Sequence, residues 1–228
     1  MHDGGVPRPA AADGRTGRPP LTSRAEILTA ARRLIARDGW AKVTIRKFAG
    51  EIGVAPTTLY HHVRDKEDLL LQLVSDLADQ IPRVPLPDDP RERIVAAATV
   101  MHDALADWPW AAEVLTADDL FGESALWMVE GMVGGAIECG CTAEQAVDLY
   151  RSLWYYTVGE VLVRAHASRR GADDERPTHR DTAFARLDAE ALPHLAALGA
   201  RWPELASRDT YGHGLRVFVS GLLAATLG

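Results

Sequence analysis

The sequence predicts an all-α fold in two parts, a small N-terminal helical domain and a larger helical domain behind it. Three observations carry this. Apolar residues recur at three- and four-residue spacing between recognisable caps along most of the 228 residues, and nothing reads as a strand ladder. With 47% apolar residues the chain can pack a core, which excludes disorder throughout. Three prolines within residues 82–89, followed by Pro90, mark a break between the parts.

Residues 1–20 are rich in Gly, Pro and Ala and carry Arg8, Arg15 and Arg18. They offer too little apolar surface to fold alone, so a flexible basic arm is expected. Ser23 followed by Glu26 has the form of a capping box, and Ile27, Ala30, Ala31, Leu34 and Ile35 then keep helical spacing up to Gly39. A second short helix is expected after Thr44, whose hydroxyl can cap free amides. It carries Phe48, Ala49 and Ile52 inward and stops at Gly53, which tolerates the left-handed turn. Pro56 suits the first position of a third helix, and Asp65 can cap a fourth with Leu69, Leu70, Leu73, Val74 and Leu77 on one face. These elements make a domain of residues 21–81, and residues 82–89 are the linker to residues 90–228.

In the second part, Asp89, Pro90 and Glu92 read as cap, first-turn proline and reciprocal carboxylate for a helix to about Ala106. Trp108, Pro109 and Trp110 interrupt it. Helices are expected over 110–116 and 124–139, and Thr142 with Gln145 caps another running to about Ala167. Residues 168–181, with eight charged side chains, read as a mobile loop, and the last helices should cover 182–198 and 209–227.

Charge is divided unevenly. Residues 1–66 carry a net +6 and the remainder −13, a basic polyanion-binding end on an acidic body. A solvated basic face is the plainer reading of the charge alone. No run of eighteen apolar residues occurs and the first thirty residues lack the apolar stretch of a signal peptide, so a cytoplasmic protein is expected. Cys139 and Cys141 read as reduced thiols without metal-ligand partners. No nucleophile and base set, paired-carboxylate motif, phosphate-cradling Gly loop or metal motif appears, which argues against an enzyme and against a metal or cofactor.

Helix, tight turn and helix within 44–63 fit the helix-turn-helix, whose second helix lies in the major groove of DNA. With Leu59 and Val63 inward, Thr57, Thr58, Tyr60 and His61 lie on or beside the outward face. Their hydroxyls and ring nitrogens can meet base edges or phosphates. Arg46, early on the preceding helix, offers the two-pronged donor that matches O6 and N7 of guanine; a surface arginine paired with a carboxylate is the alternative. Thr44 sits at the start of that helix. Lys47 and Lys66, flexible point charges, suit phosphates. Arg15 and Arg18 can enter a minor groove, or the arm binds nothing specific.

The stretch from Thr44 through Arg46, Gly53, Pro56, Leu59, Tyr60, His62, Val63 and Lys66, reading TIRKFAGEIGVAPTTLYHHVRDK, resembles the DNA-binding signature of the tetracycline-repressor (TetR) family. With the helix before it and Leu69 and Leu70 after it, the resemblance covers about residues 21–75. It implies a homodimer with two N-terminal readers and helical cores, usually a repressor that an effector releases from a palindromic operator. Position by position it implies a base reader at Arg46, recognition-helix contacts at Thr57 and Thr58, and phosphate contacts at Tyr60, His62 and Lys66. Outward-face geometry and resemblance thus differ over His61 and His62, and both remain candidates. A weaker resemblance reaches the tetracycline-binding members, which hold a drug-chelated magnesium on a histidine and a partner-chain glutamate. Leu115 and Val163 stand at those positions, and neither ligates magnesium.

The helix from Ala143 is apolar nearly all round and the last helix presents Leu215, Phe218, Val219, Leu222 and Leu223, with Gly214 and Gly221 one heptad apart. Together they resemble the helix pair of a two-fold interface. Large side chains gather in the middle helices, among them Trp110, Phe121, Trp127, Met128, Met132, Tyr150 and Trp154. Core packing is one reading; the other is a pocket for an apolar effector, with His102, Tyr150 and Glu160 as polar anchors. A simple pair between Glu160 and Arg164 competes for the latter. The expected function is a sequence-specific, effector-released repressor; the alternative is a constitutive or architectural DNA-binding protein.

Overall fold

The computed structural model describes residues 23–117, 120–173 and 178–227, with side chains of 170–173 and 226–227 left aside. The basic arm of residues 1–20 lies outside the described residues. The chain divides into two compact units, one ending at Lys66 and one beginning at Glu67. The sequence expectation instead closed the first domain at residue 81.

In the first unit, α1 (Arg24–Asp38) opens with the reciprocal Ser23 and Glu26 capping box and closes at Gly39, whose φ is 82°. A single 3-10 turn (Trp40–Lys42) leads to α2 (Ile45–Ile52), capped by the Thr44 side chain, which accepts from the Lys47 amide. Gly53, at φ 73° and ψ 29°, adopts the left-handed conformation that ends α2. Pro56 then begins α3 (Pro56–Leu59) at its first position, where no amide is needed. Ile27, Leu28, Leu34, Ile35, Phe48, Leu59 and Val63 form the buried core that holds these helices in register.

α4 (Lys66–Gln80) buries Leu69, Leu70, Leu73, Val74, Leu77 and Ala78. After the proline-rich stretch, α5 (Pro90–Asp107) is capped by Asp89, which accepts from the Glu92 amide. Glu92 does not act as the reciprocal carboxylate; it is drawn to Arg216, whose Nη1 donates to it at 2.7 and 2.9 Å. α6 (Pro109–Ala117), a 3-10 turn (Glu123–Ala125) and α7 (Leu126–Glu138) follow. α5 and α7 pack backbone to backbone through Gly135. A Cβ there would stand 2.8 Å from both the Pro90 carbonyl and Ile94 Cγ1.

α8 (Ala143–Asp173) is six residues longer than the sequence expectation, and so takes up part of the segment read as a loop. Arg169, a straight-chain side chain of good helix propensity, stays solvated on its surface. Thr178 and Asp181 form a capping box that begins α9 (His179–Phe184). The helix expected over 182–198 is also corrected. It stops after Phe184, and α10 (Pro193–Leu198) starts anew, because a proline holds its predecessor out of the helical region; Leu192 sits at φ −133° and ψ 60°. A 3-10 turn and α11 (Trp202–Ala206) complete this stretch. Gly199 lets it fold back, since a Cβ would lie 2.3 Å from the Phe184 carbonyl.

α12 (Tyr211–Leu227) closes the second unit against α5 and α8. Gly214 allows the approach to α8, its would-be Cβ falling 2.3 Å from Tyr156 Oη, whereas Gly221 has nothing within 4 Å. A polar network ties the three helices together. Thr157 is fully buried and its Oγ1 lies 2.8 Å from Tyr211 Oη, which also donates to the Ala98 carbonyl at 3.3 Å. The His102 ring stacks on Tyr211 with centroids 3.7 Å apart.

Candidate nucleic-acid interface and cavity

The local folding of 44–66 decides what the first unit can present. Capping fixes where α2 begins, so Arg46 projects from its first turn. It is exposed and holds no ion pair or hydrogen bond among the described residues, so its guanidinium is presented to solvent there. Lys47 differs. Its Nζ lies 2.9 Å from Asp38, which Arg37 also grips at 3.0 Å, and Arg37 reaches Glu51 at 2.5 Å. Arg37, and after it Lys47, hold the Asp38 carboxyl far below the usual carboxylate range. Lys47 therefore ties the end of α1 to α2, and only its remaining ammonium hydrogens are free for a phosphate.

α3 is one turn long, with Leu59 as its fully buried anchor. Thr57, Thr58 and His61 are exposed, and Tyr60 is 54% exposed. The regular helix ends at Leu59 and continues as turns, with the His61 amide bonded to the Thr58 carbonyl and the His62 amide to the Leu59 carbonyl. An ideal wheel does not extend to this tighter backbone. His61 faces solvent, while His62 is half-buried and already engaged. Thr44 is exposed and uses its oxygen as helix cap, leaving its hydroxyl hydrogen to donate outward.

Lys66, read from the sequence only as a phosphate contact, is half-buried. Its ammonium donates to the Ala41 carbonyl at 3.4 Å and lies 4.8 Å from the Trp40 ring centroid. Trp40 escaped the sequence reading, although an aromatic directly after the capping Gly39 was its signal. We expect Lys66→Ala to weaken binding to every DNA sequence and to reduce the log–log salt slope by about one. It should also destabilise the first unit by ~0.5–1 kcal/mol through the lost cation–π contact. Salt titration and thermal melting separate the two effects.

In the second unit, α4, α5, α6, α7 and α8 line a cavity of about 450 Å³ that opens to solvent beside the exposed Phe121 and Leu126. α4 contributes Val74, Leu77, Ala78 and Ile81; α5 contributes Met101 and Leu105; α6 contributes Leu115. Phe121, Leu126 and Met128 line another side, and Tyr150 and Trp154, one turn apart on α8, form the last. Gly122 lies so close to α4 that a Cβ would be 2.5 Å from that of Ala78.

Of the effector candidates, Phe121, Tyr150 and Trp154 line this cavity. His102 and Glu160 do not; His102 Nε2 and Glu160 Oε2 are 2.8 Å apart and satisfy each other. Glu160 also accepts from Arg164, as helical spacing allows, and Arg164 reaches Asp209 at 3.2 Å. Trp110 is buried in the core, and Trp127 stands outside the lining; both indole N–H groups lack a hydrogen-bond partner among the described residues. Met128, one of the large side chains gathered in the middle helices, lines the cavity as well; Leu115 and the α4 residues carry no effector reading in the sequence because an apolar cavity wall and a solid core share one sequence pattern.

The model of bacterial regulatory proteins of the tetR family matches residues 27–73, and that of the tetracyclin repressor-like C-terminal domain matches residues 84–226. The chain belongs to the TetR family. An HTH-type transcriptional regulator of Saccharopolyspora erythraea is 30% identical over 220 residues, covering 92% of this chain and 87% of the relative. The tetracycline repressor protein class A of Escherichia coli is 28% identical over 205 residues, covering 86% and 88%. In fold, apo ActR of Streptomyces coelicolor superposes with a TM-score of 0.67 at 22% identity, covering 92% of this chain and 98% of that one. As a TetR-family member the protein is a DNA-binding transcriptional regulator and not an enzyme. Leu115 and Val163, which the resemblance set at the magnesium-holding positions, are a cavity-lining residue and a residue 68% exposed. No helix among the described residues is long and apolar enough to cross a membrane.

Proposed function

We propose that this TetR-family regulator is a homodimeric repressor that holds a palindromic operator and leaves it when a small apolar effector enters the cavity. The observation that carries the reading is that α4 forms one cavity wall while its first residue, Lys66, is tied to Trp40 and Ala41 of the reader. A ligand that displaces α4 therefore acts through continuous helix on the segment carrying Arg46, Thr57 and Thr58. Two readers must fit one rigid duplex with half-sites about one helical turn, or a multiple, apart, so a small displacement in each breaks their register.

Dimerisation through α8 and α12 is supported by large apolar side chains left exposed on them: Val147 at 48%, Tyr155 at 60%, Val163 at 68% and Val217 at 59%. Exposure on this scale along two neighbouring helices fits a surface that a second copy covers. The described residues 82–89 serve as linker between residues 21–81 and residues 90–228, and the protein works in the cytoplasm where its DNA lies.

The test is a gel shift on DNA upstream of its own and neighbouring genes, repeated with a metabolite and drug panel, with light scattering in parallel. Expected is tight binding to a palindrome, lost on adding an active compound while the dimer persists. Dissociation to monomers by the compound contradicts this mechanism, and binding indifferent to every compound favours a constitutive binder.

A further inference from the structure

The cavity has a chemical character more specific than its apolar wall. None of its described lining residues carries a charged side chain. The nearby acid and base of α5 and α8, His102 and Glu160, are closed on each other and stand outside the lining. An ionic ligand entering here would surrender water and find no countercharge. The lining has two side-chain polar groups, the Tyr150 hydroxyl and the Trp154 indole N–H, and neither has a hydrogen-bond partner among the described residues. Residues four apart on a helix share a face, so the two groups stand one above the other on one wall. Burial pushes the Tyr150 hydroxyl up from its ordinary value, which keeps it protonated and able to donate.

From this arrangement we infer that the effector is an uncharged, largely apolar molecule bearing an oxygen acceptor, such as a ketone, which Tyr150 and Trp154 bind. The inference rests on the reading of this cavity as the effector site. An indole N–H only donates and a phenol donates as readily as it accepts, so the group that satisfies both is an acceptor. The volume of about 450 Å³ falls among sites for drug-sized ligands, and the remaining wall selects an aromatic or aliphatic body rather than a polar one. A drug held through a metal ion would bring charge to a wall whose described residues have none to answer it.

Prodan, a neutral naphthalene with one ketone, tests the inference on the full-length protein by its own fluorescence. It should bind saturably, with emission displaced to the red by hydrogen bonding at the ketone. Tyr150→Phe and Trp154→Phe, which keep the rings, should each weaken binding roughly tenfold and move the emission to the blue. Anilinonaphthalenesulfonate, a naphthalene bearing a fixed negative charge, should compete at least roughly a hundredfold less well than unlabelled neutral naphthyl ketone. Competition by the sulfonate at equal strength overturns the uncharged class. Unaltered affinity and emission in both variants overturn the acceptor anchor. No saturable binding of prodan removes the cavity itself as a site for such ligands, a failure of the underlying reading that is distinct from the other two.

Discussion

Arg46→Ala lowers affinity for the proposed operator by about 2–6 kcal/mol per dimer, because each of two half-sites loses a bidentate base contact worth roughly 1–3 kcal/mol. Affinity for unrelated DNA falls far less. The expectation rests on what surrounds Arg46: the Thr44 cap starts α2 just ahead of it, Phe48 and Ala49 bury the opposite face, and no carboxylate among the described residues holds the guanidinium. Nothing within the described protein is broken by its removal, so the loss reports on DNA. Competition binding to operators substituted one base pair at a time makes the measurement. Preference should relax at one base pair in each half-site, and equal loss on every sequence would remove the base-reading role. Lys66→Ala is the natural contrast, since it changes a charge contact and a structural tether together.

The reader was legible because its signals are local. Ser23 with Glu26, Thr44, Gly53 and Pro56 each act within a few residues of themselves, and each does in the structure what its chemistry requires. The tether of Lys66 to Trp40 was not legible, since it spans a turn whose course depends on packing. Charge content misled at 168–173, because Arg169 is as comfortable on a solvated helix as in a loop. The cavity exposed the deepest limit. Tyr150 and Trp154 stood out as large amphipathic side chains, but Val74, Leu77 and Leu115 look in sequence like any core residue. In sequence His102 and Glu160 suit either ligand anchors or local pairs, and only a fold that brings positions 58 residues apart together shows them satisfying each other.

That same convergence yields the second large effect. Tyr211 sits at the start of α12, 4% exposed, between Thr157 of α8 and the Ala98 carbonyl of α5, with the His102 ring stacked against it. The tyrosine has one hydroxyl hydrogen and gives it to the carbonyl, so the fully buried Thr157 hydroxyl donates to Tyr211 Oη. Tyr211→Phe leaves both Thr157 and Ala98 without that partner in a site where water does not replace it. The expected cost is about 1–3 kcal/mol, read as a lowered urea midpoint at fixed protomer concentration. The effect is pH-dependent with a definite sign. Burial pushes the Tyr211 hydroxyl up to about 12 from an ordinary 10, against the smaller opposing pull of the Thr157 hydrogen bond. A group whose folded-state pKa is raised contributes stability that is fully present below its unfolded value and is lost as pH climbs through the folded one. The stability gap between wild type and Tyr211→Phe should therefore be constant up to pH 10 and narrow between pH 10 and about 12. Comparing the two proteins cancels Tyr150, which burial raises in both, while the charge of Tyr156, stacked beside Tyr211 and itself raising it, belongs to the same window. A gap that stays constant through that window would mean that ionisation of Tyr211 is not what the α5, α8 and α12 junction resists.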